Sequence, residues 1–424
     1  MKTKLFNILV LTFTFNIVIA QSGWFSQTSG TSNYLLSVHF IDNNTGWTVG
    51  GEFNGTNIIL KTTNGGTNWI SQTSGLLGYL FSVQFIDNNT GWTVGGDDII
   101  SSTILKTTNG GTNWISQISG SDLLYSVRFI DNNTGWAVGE FGTILKTTNG
   151  GTNWINQTSG TSNQHLTSVH FIDNNTGWTV GGGGTMTILK TTNGGTNWTS
   201  QLSGLSDIIL YSVFFIDNNT GWTVGGDKQE NGTILKTTNG GTNWTSVLSE
   251  TSILTSVHFI DNNTGWTVGW LGIILKTTNG GTNWINQISG TSGPGHLASV
   301  QFKDNNTGWA VGSGGTILKT TTGGVITGVQ TISSEIPTHF MLSQNYPNPF
   351  NPSTVISYQL AVSSFISLKV FDLLGREVST LVNEKQNAGS YSVDFDGSNF
   401  SSGIYFYKLQ TDNFSETKKM TLIK

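Results

Sequence analysis

FIDNNTGWTVG (residues 40–50) and ILKTTNGGTNW (residues 59–69) decide how this chain folds, because close copies of the first recur seven times and of the second six, with a truncated seventh. The DNNTG element begins at Asp42, Asp87, Asp131, Asp173, Asp217, Asp261 and Asp304, a period of 42 to 45 residues. A fixed period of this length marks a repeat architecture in which each unit buries its apolar face against its neighbours. Within the first unit, LLSVHFI (from Leu35), WTVG (from Trp47), IILKTT (from Ile58) and NWISQTS (from Asn68) read as short strands. The DNNTG and NGG turns between them are rich in the Asn and Gly that tolerate left-handed backbone angles. Four strands per unit of this length predict an all-β fold, a seven-bladed β-propeller.

The ends of the array predict how the ring closes. The seventh unit reads through Trp309 and ILKTTTGG but lacks the TNW and QTSG that should follow Gly324. The missing piece, GWFSQTSG, stands at residues 23–30, with Trp24 in the strand-four position. The first strand of the chain is therefore expected to complete the last blade, the alternative being a vestigial eighth repeat. Seven tryptophans follow DNNTG (Trp47, Trp92, Trp136, Trp178, Trp222, Trp266, Trp309) and six close NGGTNW (Trp69, Trp114, Trp154, Trp198, Trp244, Trp284). With Trp24 these make two rings of seven, expected in the core, and only Trp270 falls outside the pattern.

Only 10% of the 424 residues are charged and the net charge is −5, which argues against a nucleic-acid binder with its basic patch. There is no cysteine, so disulfides, thiol catalysis and Cys-ligated metals are excluded. Residues 1–20 read as a secretory signal: Lys2 and Lys4, an apolar run from Leu5 to Ile19, and cleavage after Val18-Ile19-Ala20, before Gln21. Asn7, Thr12, Thr14 and Asn16 make that run a poor membrane span.

The TTNGGTNW element resembles the Asp-box, S-x-D-x-G-x-x-W, with Thr62, Asn64, Gly66 and Trp69 in its positions and Asn in place of Asp. Over residues 24–324 the units resemble the photosystem II stability/assembly-factor type of Asp-box (BNR-like) propeller. The resemblance implies the fold and transfers function poorly.

Comparison of the repeats separates constant turns from variable loops. DNNTG and TTNGG are expected on one face of the disc, and the two-to-three and blade-to-blade loops on the other, where repeat proteins often bind. That face would carry Glu52, Phe53, Asp97, Asp98, Glu140, Phe141, Asp227, Glu230 and Trp270, with Tyr34, Tyr79, Asp122, Tyr125, His165, Asp207, Tyr211 and His296 from the second loop set. The ligand-contact candidates are Trp270, Phe53, Phe141, Tyr79, Tyr125, Tyr211, Asp97, Asp98, Glu140 and Asp227. Rings that stack and carboxylates that accept hydrogen bonds suit a glycan or a protein; unconstrained surface drift would give the same variation. A further variable position in strand one (His39, Gln84, Arg128, His170, Phe214, His258, Gln301) is expected to ring the central channel. Its three histidines are spread over blades one, four and six, which disfavours a shared metal.

Sialidases on Asp-box propellers use three arginines, and this propeller has only Arg128. HExxH, GxxxxGK[ST] and G-x-S-x-G are absent. A glycosidase needs two carboxylates roughly 5–10 Å apart; Asp97, Asp98, Glu140, Asp227 and Glu230 offer acids, but no spacing selects a pair. DNNTG supplies hard oxygens, yet its Gly46 stands at position five and no Glu follows in register, unlike a calcium loop.

After Gly324 the composition changes. VITGVQTISSEIP reads as a linker, and six strand-like runs follow, suggesting a small β-sandwich. LSQNYPNPFNPST (from Leu342), VFDLLGREV (from Val370), AGSYSVDFDGS (from Ala388), SSGIYFYKL (from Ser401) and KKMTLIK (from Lys418) closely resemble the type A sorting domain of the type IX secretion system. The resemblance implies export through both membranes of a Gram-negative bacterium, to the outer cell surface or medium, with the secretion machinery as a partner through residues 341–424. The expected domains are a signal (1–20), propeller (21–324), linker (325–340) and sorting domain (341–424). The expected function is non-catalytic binding of a glycan or surface protein, with no cofactor and no metal. An extracellular glycoside hydrolase and a structural or assembly role stand as alternatives.

Overall fold

Asp42 shows why the repeated turn varies so little. Its Oδ1 accepts the backbone N–H groups of Asn44 (2.7 Å) and Thr45 (2.6 Å). The same two bonds recur at the other six aspartates. A short side chain that caps two amides fixes a tight reversal. The second turn is built on the same logic. Thr62 Oγ1 accepts from Gly66 N–H (2.8 Å), and Asn64 Oδ1 accepts from Thr62 Oγ1 (3.0 Å) and Asn68 N–H (2.9 Å). Only an acceptor oxygen is required, so Asn replaces Asp without loss. Gly65 has φ +67°, and a Cβ there would lie 2.8 Å from Asn43 O, which excludes any other residue. Gly65 N–H donates to Asn44 O at 2.8 Å, and the equivalent bond in all seven units places both constant turns on one face.

The structure is a computed structural model that describes residues 23–52, 55–97, 101–120, 122–161, 163–183, 186–201, 205–250, 252–287, 289, 295–324, 330–333, 337–397 and 400–424. The signal and its cleavage position between Ala20 and Gln21, together with Phe53 and Asp98, lie outside the described residues. The chain divides into two compact units, Ser22–Ile326 and Thr327–Lys424.

The first unit consists of seven four-stranded antiparallel sheets. In blade one the strands are Tyr34–Phe40, Gly46–Gly51, Ile58–Thr62 and Ile70–Gln72; the fourth is shorter than the sequence run suggests. Every first strand carries a bulge, at Leu36, Phe81, Tyr125, Thr167, Tyr211, Thr255 and Ala298. In blade seven, Leu297–Phe302, Gly308–Gly312 and Ile317–Thr320 are completed by Phe25–Gln27, with Phe25 opposite Lys319 and Gln27 opposite Ile317. The N-terminal strand therefore closes the ring, as its sequence predicts.

Packing between blades repeats one unit of chemistry. Each DNNTG tryptophan stacks face to face on the phenylalanine ending the next blade's first strand, at 3.5 Å between centroids, from Trp47–Phe85 round to Trp309–Phe40. The strand-four tryptophan of the phenylalanine's own blade meets the same ring edge-on at 5.5–5.8 Å. Such pairs add about 0.5–1.5 kcal/mol each beyond area burial. The stacked tryptophans are fully buried, but Trp69, Trp154, Trp198 and Trp284 of the second ring are only half-buried. That second ring belongs to the periphery of the blades, because the fourth strand is outermost.

Polar latches run beside the rings. Gly110 O accepts Trp47 Nε1 (3.2 Å), Lys61 Nζ (3.0 Å) and Gln72 Nε2 (3.1 Å) from the preceding blade. At the closure, Trp309 (3.2 Å), Lys319 (2.9 Å) and Gln27 (3.1 Å) converge in the same way on Gly65 O. Around the axis each first-strand serine accepts the N–H of the next blade's valine, and Ser299 to Val38 completes the circle.

The second unit holds two four-stranded sheets. One orders Gln330–Ser333, Gly389–Asp396, Ser353–Leu360 and Met341–Leu342; the other Glu377–Gln386, Ser364–Phe371, Gly403–Gln410 and Ser415–Leu422. Part of the stretch read as linker thus forms a strand, Gln330 lying opposite Ser392. The NYPNPFNPST run is held by polar contacts. Tyr407 Oη donates to Ser343 O (2.8 Å) and accepts Asn345 N–H (2.7 Å), while Asn345 Nδ2 donates to Thr354 Oγ1 (2.9 Å). Phe350 packs in the core between the sheets.

Candidate functional site

The face opposite the constant turns is built from the two-to-three loops and the blade-to-blade loops, which are hydrogen-bonded to each other. Glu140 N–H donates to Leu123 O (2.9 Å), Gly142 N–H to Gln164 O (2.6 Å), and Trp270 N–H to Ile253 O (2.9 Å). In blades three, six and seven the two-to-three loop is a tight 3-10 turn: Glu140–Gly142, Trp270–Gly272 and Ser313–Gly315. Its middle residue adopts a left-handed conformation, at φ 51° for Phe141, 56° for Leu271 and 63° for Gly314. Only the last is glycine, so the fold holds two large side chains outward at a backbone cost of order 1 kcal/mol each.

Five candidates come together around blades two to four. The rings of Tyr79 and Phe81 lie 5.6 Å apart, Phe81 and Tyr125 5.2 Å, Tyr125 and His165 6.3 Å, and His165 and Phe141 5.8 Å. Tyr125 Oη donates to Glu140 Oε1 at 2.9 Å, and His165 Nδ1 is 4.0 Å from the same oxygen. Phe141 is 58% exposed, the outermost ring of the group. Mutual tilts of 49° to 78° from Phe81 to Phe141 make this an aromatic corner around one carboxylate, rather than a flat platform. Phe81 escaped the sequence reading because it falls inside a strand. Its position, just before Ser-Val, varies among Leu36, Phe81, Tyr125, Thr167, Tyr211, Thr255 and Ala298, and that variation was the available signal.

The other candidates lie apart from this corner. Trp270 is half-buried against His296 at 4.8 Å, and the exposed side chain of its turn is its neighbour Leu271. Tyr211 is half-buried at the blade-five bulge, where burial pushes its phenol up. Asp227 closes its own loop, accepting from Asn231 Nδ2 (3.0 Å) and from the Asn231 and Gln229 N–H groups (both 2.9 Å), and these bonds hold its carboxyl below the usual range. Asp97 ends the strand Gly91–Asp97; its side chain lies outside the description. Asp122 Oδ2 accepts Thr143 Oγ1 at 2.9 Å. Along the axis, His39 Nε2 meets Phe85 O at 2.9 Å and His170 bonds the Phe215 backbone. Two of the three channel histidines are thus tied to neighbouring blades, and no group of three or more His, Asp or Glu suited to a metal occurs among the described residues.

Comparison with known proteins agrees with this architecture. Residues 344–424 match the secretion system C-terminal sorting domain, and residues 115–206 and 201–297 match the photosynthesis system II assembly factor YCF48 family. A YCF48 bound to a D1 peptide superposes with a TM-score of 0.58 at 21% identity, covering 72% of this chain and 96% of that one. YCF48 from Cyanidioschyzon merolae gives 0.57 at 22%, covering 70% and 98%. The GH74 xyloglucanase from Xanthomonas campestris gives 0.54 at 9%, covering 80% and 60%. At these identities the likeness is one of fold. No curated protein sequence matches significantly. The chain thus joins an Asp-box propeller of the photosystem II assembly-factor type to a type IX secretion sorting domain. It is an exported protein, secreted or held at the cell surface.

Proposed function

We propose that the propeller is a non-catalytic binding module, and that the corner of Tyr79, Phe81, Tyr125, Phe141, His165 and Glu140 is its ligand contact. The observation that carries this reading is Phe141, a phenylalanine kept exposed in a left-handed conformation beside a carboxylate already ordered by Tyr125. Edge-to-face rings around one acid suit an inserted basic side chain, through cation–π attraction and a charge-assisted hydrogen bond, better than the flat face of a sugar. The ligand is therefore read as a protein segment bearing Lys or Arg. A propeller of this type bound to a peptide is consistent with it. Binding is favoured over catalysis because Asp122, Glu140 and Asp227 each already accept a hydrogen bond from the protein, from Thr143, Tyr125 and Asn231.

The test places the mature chain on a peptide array and a glycan array, beside Phe141→Gly and Glu140→Gln. Basic peptides that bind the wild type and lose at least about fivefold in both variants support the reading, that factor being roughly 1 kcal/mol. Binding confined to glycans would replace the ligand class; silence on both arrays would remove the binding role and favour a structural or assembly one.

A further inference from the structure

The axial position of strand one differs from blade to blade, and its side chains do two different things. Four of the seven bridge to the backbone of the next blade. His39 bonds Phe85 O, Gln84 Nε2 donates to Phe129 O (2.8 Å), His170 bonds Phe215, and Gln301 Oε1 accepts Phe40 N–H. Phe214 lies between His170 and His258, at 4.9 and 5.1 Å. The remaining two, Arg128 of blade three and His258 of blade six, make no such bridge. Arg128 Nε and His258 Nδ1 are both buried with no hydrogen-bond partner.

In a ring of seven, blades three and six stand across the axis from one another. At the constant-turn end, Lys303 replaces the isoleucine found in the other six blades (Ile41, Ile86, Ile130, Ile172, Ile216, Ile260). Arg128 and Lys303 both act on His39 and His258, which burial and these like charges hold at about 3, and so neutral. Among the described residues, the carboxylate that acts on this group is Asp42, and it acts on Lys303; none pairs with Arg128. Arg128 is half-buried, yet its Nε is shut off from water and no counter-charge faces it, and His258 carries a buried imidazole nitrogen without an acceptor, so positive charge gathers there unbalanced.

We propose that the channel binds a single small anion, of the size of chloride, nitrate or formate, between Arg128 and His258, with Lys303 on the side of the constant turns. The anion would accept from the guanidinium and from His258 Nδ1–H, supplying the charge the protein lacks there. It is a site separate from the aromatic corner, and it neither requires nor tests that reading.

All fifteen tryptophans precede residue 310, so their fluorescence reports the propeller alone within the full chain. Thermal unfolding of the mature protein is followed by tryptophan emission while bromide replaces gluconate at constant ionic strength. A saturating rise of about 3 °C is expected, as for a ligand well above its dissociation constant. Arg128→Met should unfold higher than the wild type in gluconate and show no bromide response; His258→Phe should shift the response to higher bromide. A crystal grown in bromide should show an anomalous peak between the two side chains, a readout that survives if either variant fails to fold. No rise, an equal rise in Arg128→Met, or no axial peak would overturn the proposal.

Discussion

Phe129 sits between Trp92, stacked on its face at 3.5 Å, and Trp154, meeting it edge-on at 5.8 Å. Its truncation removes both contacts and leaves a cavity that rigid strands cannot fill. Phe129→Ala should cost about 3–5 kcal/mol, read as a lower urea midpoint of tryptophan emission. Phe141 is the opposite case, a large residue that the fold would exchange for glycine. Phe141→Gly relieves the left-handed conformation and should leave stability unchanged or raise it by about 1 kcal/mol. Its effect should appear in ligand binding alone. Sequence reading located Phe141 and Glu140 because both interrupt a repeat. It missed their neighbour Phe81 because an aromatic inside a strand looks like core, and only the bulge turns it aside.

The closing strand Phe25–Gln27 makes Trp24 differ from its equivalents. Trp24 is fully buried, whereas Trp69 in blade one is half-buried. Trp24→Ala should therefore destabilise the propeller by more than Trp69→Ala, by about 1 kcal/mol or more, when both are compared by denaturant unfolding. Strand count, turn identity and the closing strand were all legible in the repeats, because each is fixed by local chemistry: an Asp that caps two amides, a Gly–Gly pair, a tryptophan at a fixed offset. The bulges were not. One extra residue in a six- to eight-residue strand barely disturbs an alternation already blurred by burial on both faces. The short 3-10 turns stayed hidden as well, since Glu140-Phe141-Gly142 lacks the glycine expected at its left-handed position.

At the scale of the whole molecule the two units should answer acid in opposite directions. His39 and His258 are held at about 3, and His170 also well below its ordinary value, mainly by burial. Their folded values are depressed below the unfolded value near 6.5, so their contribution is complete above that pH and is lost as pH falls. In anion-free buffer each should cost the propeller up to about 2 kcal/mol by pH 5. In the sorting unit, burial raises the Asp394 carboxyl to about 6. That contribution is present below about pH 4 and is lost as pH rises through 6, so mild acid should stabilise this unit, and Asp394→Asn should abolish the effect. Urea unfolding of the full chain, followed by tryptophan emission and by far-ultraviolet circular dichroism, separates the two responses.

The closing strand also faces a competition. Phe25–Gln27 and its partner Ile317–Thr320 lie about 290 residues apart. Between them stand six identical ILKTT segments, each offering the edge that the closing strand is built to join. What denies it those edges is tether length: each blade's own fourth strand arrives through a seven-residue connection, as from Thr62 to Ile70, and closes a far smaller loop. Near-identity of the repeats is therefore tolerable only because every blade but the last carries its own competitor, and blade seven, which lacks one, leaves the N-terminal strand a single place to go.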